Sequence, residues 1–432
     1  MASRSYLHDI ASVFSSNVFA MGTNVLFVIL ITRLLGPEGY GTYTAILVIP
    51  TLVVSFFQMG IRASSVFMIG SGKYNENQVV SAIISALLLT SISGMLFSAI
   101  AYKLMFREGY TILLISLALL TIPMRLSAIY AGGIFLGKEQ IKRSNLMNWL
   151  TGLLTLFFGL VFVWILKMKI TGALLSLMLG NLIVSFIAIN MLYKDYEVKL
   201  SFANPIIVRL LKLGVIYALS FLVIQLNYRV DVLLLQWLSD ARQIGLYSLG
   251  VSVSELLWQI PLAVSIVVMS RTANTTNLQK TNEDTAKLLR ISLLLGVVLS
   301  LFIYMLSPYI IPWVFGEKFR QSVLIVQTIM PGIIMVIIFR ILSGQLSGMG
   351  KPLVALKAFV PALILNVILN YFLIPEHGGL GAAIATNVSY MVGTIIYTIA
   401  YCRITGTTPG KLFHYSMNDF LFIKEKLQRY MR

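Results

Sequence analysis

Gly214–Trp237 reads GVIYALSFLVIQLNYRVDVLLLQW. Its length suits a helix crossing a hydrocarbon core, which takes roughly 20 apolar residues. Yet Arg229 and Asp231 lie inside the span. A charge at the bilayer centre costs at least about 2.5 kcal/mol on insertion scales, so such residues face protein or a water-filled cavity. This stretch sets two expectations: a membrane-spanning helix, and a sheltered polar interior supplied by the rest of the chain.

Composition agrees. Of 432 residues, 58% are hydrophobic and only 11% charged, which argues against a soluble or disordered chain. Cys402 is the single cysteine, and His8, His377 and His414 lie far apart, so neither a disulfide nor a metal centre is expected. No cofactor motif stands out. Gly132–Glu139 (GGIFLGKE) imitates a phosphate-binding loop, but Glu139 stands where a magnesium-binding hydroxyl belongs. The first apolar run has no cleavage pattern after it and reads as a retained span.

Twelve apolar segments follow one another, at roughly 10–32, 42–62, 79–102, 111–136, 146–166, 170–193, 213–237, 243–270, 288–307, 322–347, 353–374 and 380–402. The net charge of +17 is explained by their sidedness. With a cytoplasmic N-terminus, inner connections and tails hold 22 of the 33 Lys and Arg, and outer connections hold 8. That bias puts both termini inside and leaves no need for nucleic acid as a partner.

The chain also repeats. Leu34, Gly41 and Tyr43 match Leu238, Gly245 and Tyr247, 204 residues later. Gly137-Lys138 recurs as Gly350-Lys351, and Gly172-Ala173 as Gly381-Ala382. An even number of spans per repeat gives parallel halves. The expected architecture is an all-α integral membrane protein of about twelve helices in two six-helix bundles, residues 1–200 and 201–405, followed by a basic tail, 406–432.

Polar residues in the spans are the candidate site. Thr51, Ser55, Gln58 and Arg62 fall at helical spacing, as do Ser248, Ser252, Glu255 and Gln259. Either these stripes line a cavity, or they make interhelical hydrogen bonds within a bundle. Arg229 and Asp231 should point to different sides of their helix, with Gln225 beside the first and Asn227 beside the second. Arg125 and Arg340 hold similar places in the two repeats. Guanidinium forks match phosphate oxygens, so these arginines suit an anionic head group; pairing with Glu255 or Asp231 is the structural alternative. Asp231 and Glu255 are the candidates for ion coupling.

The segment Arg33-Leu34-Leu35-Gly36-Pro37-Glu38-Gly39-Tyr40-Gly41, with Tyr43 following, carries a resemblance. So do the Gly-Lys after span four and the Gly378–Ala383 opening of span twelve. The chain resembles the oligosaccharide flippases (polysaccharide transporters) of the multidrug/oligosaccharidyl-lipid/polysaccharide exporter superfamily. The resemblance implies a V-shaped pair of six-helix bundles in a bacterial cytoplasmic membrane. It implies passage of undecaprenyl-pyrophosphate-linked sugar repeat units to the outer leaflet by alternating access, for cell-surface polysaccharide, with polysaccharide polymerases as partners. It carries no catalytic signature, so no enzyme is expected. A cation antiporter of the multidrug branch is the runner-up, although spans one to six hold no mid-membrane acid. A membrane polymerase or ligase would need larger outer connections.

Overall fold

The computed structural model describes residues 2–58, 60–70, 74–105, 110–201, 205–273 and 277–416. Among them every regular element is a helix. In order these are α1 (Ala2–Phe57), α2 (Ile61–Gly70), α3 (Glu76–Met105), α4 (Ile112–Gly137), α5 (Ile141–Gly159) and α6 (Lys169–Asp195). Then follow α7 (Pro205–Leu238), α8 (Ala241–Glu255), α9 (Gln259–Ala273), α10 (Leu278–Phe315), α11 (Ser322–Gly348), α12 (Val354–Thr405) and α13 (Pro409–Phe413). Lipid offers no hydrogen bonds to a backbone, so apolar segments of this length close their bonds internally as helices.

Nine helices among the described residues are long and apolar enough to cross a membrane. Large apolar side chains stay exposed along them, such as Ile92, Leu96, Phe97 and Ile100 on α3 and Leu301, Phe302 and Met305 on α10. An aqueous surface would not tolerate such continuous apolar faces.

Two expected connections are shorter than the sequence suggests. Segment 10–32 and the part of segment 42–62 up to Phe57 join in α1, with a kink at Gly36 of φ 68° and ψ −177°. Segments 353–374 and 380–402 join in α12, broken at Gly378 with φ 55° and ψ −131°. Each kink needs a residue without Cβ, and at the first the following Pro37 also withholds a backbone donor.

Two other expectations need correction. The stripe through Gln58 and Arg62 does not lie on one helix: α1 ends at Phe57, Gly60 turns at φ 67°, and Arg62 lies in the first turn of α2. The second stripe is also interrupted, by the 3-10 turn Leu256–Trp258 between Glu255 and Gln259. Uniform 3.6-residue spacing through either break was the wrong premise.

The chain divides into two compact units, Met1–Gln225 with Val314–Gly316, and Leu226–Trp313 with Glu317–Arg432. The boundary falls within α7.

In the first unit α4 packs on α2 and α6, and α5 on α1 and α6. A Cβ at Gly133 of α4 would stand 2.9 Å from the Arg62 carbonyl of α2. In the second unit α11 packs on α8, α9 and α12. There a Cβ at Gly344 of α11 would stand 2.6 Å from the Ser265 carbonyl of α9. The same close crossing thus occurs in both sequence repeats. Gly172 against the Phe162 carbonyl and Gly381 against the Leu373 carbonyl form another such pair.

The Gly-Lys match shifts in register. Gln140 N bonds Phe135 O after α4, and Lys351 N bonds Leu346 O after α11. Gly137 therefore corresponds to Gly348, and Glu139, at φ 58°, to Gly350, at φ 73°. Both termini close in the same 6→1 pattern. Lys138 donates to Glu76 Oε1 at 2.6 Å, an ordinary ion pair that raises its pKa above the usual lysine value.

The tail leaves α12 at Gly406. Arg290 Nη1 holds the Lys411 carbonyl at 2.8 Å, and Leu412 of α13 is buried. The tail's last basic residues, including Lys424, Lys426 and Arg429, lie outside the described residues.

Candidate functional site

In the first unit the polar interior centres on Arg125 of α4. Its Nη1 donates to Thr51 Oγ1 of α1 at 3.4 Å. Buried Tyr43 lies within electrostatic range of the guanidinium, stacked on Tyr40 with ring centres 6.4 Å apart. No carboxylate among the described residues forms an ion pair with Arg125. Gln58 Nε2 donates to the Ser55 carbonyl at 3.3 Å, and Arg62 is exposed on α2. An uncompensated cation with hydroxyl neighbours can receive an anion.

The Arg33–Tyr43 segment divides its labour. Gly36 makes the kink in α1, Pro37 is buried beside it, Gly39 lies close to Ile170 of α6, and Gly41 continues the helix. Tyr40 and Tyr43 then face the interior. Arg33 is exposed, and its Nε donates to the Val314 carbonyl at 2.7 Å.

The second unit holds two neighbouring polar clusters, both fed by α7. The turn between Asn227 and Asp231 brings them to one buried face; each is fully buried. Asn227 Nδ2 donates to the Phe359 carbonyl at 3.0 Å and its Oδ1 accepts from Ser389 at 3.2 Å. Asp231 Oδ1 accepts from Asn366 Nδ2 at 3.0 Å and Asn370 Nδ2 at 2.7 Å. Its Oδ2 accepts from the Tyr247 hydroxyl at 2.8 Å, and that hydroxyl lies 2.9 Å from Thr386 Oγ1. A carboxylate taken out of water needs such donors. The two amide N–H groups and the hydroxyl that face Asp231 all donate to it, so the pocket is built to satisfy a carboxylate.

The second cluster lies around Glu255. Arg229 Nη2 stands 3.2 Å from Glu255 Oε2. Arg340 of α11 spreads over Trp258 and Tyr228, its guanidinium carbon 4.7 Å and 5.7 Å from their ring centres. Tyr390 closes the group, 5.8 Å from Tyr228 and 6.2 Å from Trp258. No carboxylate among the described residues forms an ion pair with Arg340. Gln259 is exposed at the start of α9.

A family model described as polysaccharide biosynthesis protein matches residues 6–270. The chain belongs to the polysaccharide biosynthesis protein family. A second model, MatE, matches residues 217–372, as befits a common superfamily of multidrug, oligosaccharidyl-lipid and polysaccharide exporters. This polysaccharide biosynthesis protein is 26% identical over 402 residues to CapF, a capsular polysaccharide biosynthesis protein of Staphylococcus aureus, across 91% of this chain and 98% of the relative. It is 22% identical to a putative O-antigen transporter of Shigella flexneri, across 87% and 92%. Its fold is similar to that of the lipid II flippase MurJ in an inward closed conformation, with TM-score 0.73, 18% identity, and 98% and 96% of the two chains covered. An inward-facing multidrug resistance MATE family transporter gives TM-score 0.70 at 15% identity, covering 89% and 94%. The family member is a multi-pass membrane protein.

Several of its interior residues escape a sequence reading. Trp258 and Tyr228 look like ordinary span aromatics until the fold stacks them on Arg340, as does Tyr390 until it packs against both rings. Asn366 and Asn370, at i and i+4 in an apolar helix, were the legible signal for the Asp231 pocket.

Proposed function

We propose that this protein is a flippase for lipid-linked oligosaccharides. It carries undecaprenyl-pyrophosphate-linked repeat units from the cytoplasmic to the outer leaflet of a bacterial cytoplasmic membrane, by alternating access of two six-helix bundles with both termini inside. The observation that carries this reading is Arg125: a cation within the span, set on Thr51 and Tyr43, with no paired carboxylate among the described residues. A charge kept in that place suits a phosphorylated head group. The names of CapF and the O-antigen transporter relative support the same substrate class.

In this reading Arg62, Arg125, Arg229, Arg340, Gln58 and Gln259 serve the substrate, and Asp231 and Glu255 serve ion coupling. The bundles correspond to residues 1–200 and 201–405, and the matched crossings at Gly133 and Gly344 support a parallel repeat. Polysaccharide polymerases would take up the product. No catalytic step is assigned to the chain.

The MatE match over 217–372 favours a second reading, a multidrug or cation antiporter. One experiment separates them. Purified protein in liposomes is given a pyrophosphate-linked lipid disaccharide ending in galactose, with galactose oxidase outside. Protein-dependent exposure of the inner pool supports the flippase. No acceleration over empty liposomes, together with proton-driven uptake of an organic cation, overturns it.

A further inference from the structure

Within the first unit a groove of about 520 Å³ opens between α1 and α5. Ser12, Ser15 and Phe19 line it from α1, and Lys142, Asn145 and Trp149 from α5. Both sets recur at helical spacing, so each occupies one face of its helix. Two bonds fasten the walls. Asn145 Nδ2 donates to Ser12 Oγ at 3.0 Å, and Ser16 Oγ donates to the Asn145 carbonyl at 3.2 Å. Phe19 and Trp149 meet edge to face, with ring centres 5.7 Å apart. Lys142 is exposed, and no carboxylate among the described residues forms an ion pair with it. Its neighbour Arg143 is taken by Asp195. The groove is therefore a formed cavity of ligand size with a cation at one end.

Its character changes along its length. The polar groups lie at the end beside the connection between α4 and α5. Beyond the ring pair the same faces turn apolar and stay exposed, with Leu26 on α1 and Leu153 and Phe157 on α5. Between Phe19 and Leu26, Gly22 leaves open space where a Cβ would stand. Ser12 to Leu26 is 14 residues and Lys142 to Phe157 is 15, a helical rise of about 21–22 Å. One leaflet of a bilayer, head groups and hydrocarbon together, has roughly that thickness. A lipid has the matching order, a polar head followed by acyl chain. One ammonium beside a hydroxyl and an amide balances the single negative charge of a phosphodiester, whereas a pyrophosphate would keep charge uncompensated. We propose that this groove binds an anionic phospholipid, its phosphodiester on Lys142 and Ser12 and an acyl chain along Gly22, Leu26 and Leu153. This lipid is bound in addition to the substrate assigned above.

The test uses full-length protein in detergent, titrated with dioleoylphosphatidylglycerol or dioleoylphosphatidylcholine, with the first bound lipid read by native mass spectrometry. The two lipids share acyl chains and a phosphodiester and differ in net charge. Native protein should bind the glycerol lipid about fivefold more tightly. Lys142→Gln should lower that preference to about twofold or less. Lys280→Gln, which removes an exposed lysine from α10, should leave it unchanged. Equal binding of the two lipids by native protein overturns the inference. So does an undiminished preference in Lys142→Gln, or an equal fall in Lys280→Gln, which would show that net charge alone attracts the lipid. Competition identifies the source of the phosphate. Farnesyl diphosphate or inorganic phosphate, each at the concentration of the glycerol lipid, should leave that lipid bound. Displacement by the first would make the groove a prenyl pyrophosphate site, and displacement by the second a free anion site; either overturns the proposal.

Discussion

Arg229 Nη2 and Glu255 Oε2 stand 3.2 Å apart, joining α7 to the end of α8 inside the second unit. The pair explains how α7 carries a cation within its span: the charge is matched by a neighbouring helix. It also makes the two residues interdependent. Glu255→Ala should lower the melting temperature of purified protein, at a cost of roughly 1–2 kcal/mol, because the pair is partly exposed and a fully buried one would cost more. The double variant Arg229→Ala, Glu255→Ala should recover part of the loss relative to the two single alanine variants. Strictly additive losses in the cycle would show that the two side chains do not interact.

Asp231 should set the dependence on ion gradients. Asp231→Asn preserves volume and removes the charge from a pocket of Tyr247, Asn366 and Asn370. Translocation by this variant in liposomes should be slow and indifferent to imposed proton and sodium gradients. A gradient response equal to that of the native protein removes Asp231 from coupling.

Arg125→Ala combined with Arg340→Ala should abolish surface polysaccharide in cells while protein abundance holds. Arg125→Lys alone should be milder, because it keeps a point charge near Thr51 but loses the planar fork. Normal polymer from the double variant rejects the substrate role of these arginines.

The glycine crossings should be intolerant of a single methyl. At Gly133 and at Gly344 a Cβ would press on a backbone carbonyl of the crossing helix, at 2.9 and 2.6 Å. Alanine at either position should cost about 1–3 kcal/mol, as overpacking does, and lower the melting temperature. Alanine at Gly410, where a Cβ meets nothing within 4 Å, serves as the control.

Gly36→Ala should also destabilise, for a different reason. Its φ of 68° with ψ of −177° belongs to a region that only glycine enters freely, and such strain costs about 1–3 kcal/mol. Gly22, within a regular stretch of α1 and with open space at its Cβ, should accept alanine without loss.

The sequence by itself determined that this chain spans a membrane through helices, that its motifs recur in two halves, and that charges sit within spans. Length, apolar content and the bilayer's intolerance of open backbone groups decide those things locally. It also made the family recognisable through Arg33–Tyr43. Only tertiary structure decided which charges meet. Arg229 and Asp231 are two residues apart, yet one finds Glu255 and the other finds Tyr247 of the next helix and Asn366 and Asn370 from far along the chain. The breaks at Gly60 and at Leu256–Trp258 were equally illegible, because periodicity assumes a continuous helix and cannot report where one stops. Partner choice across helices depends on packing depth and rotation, and those are fixed by small residues such as Gly133 and Gly344 rather than by the charged residues themselves.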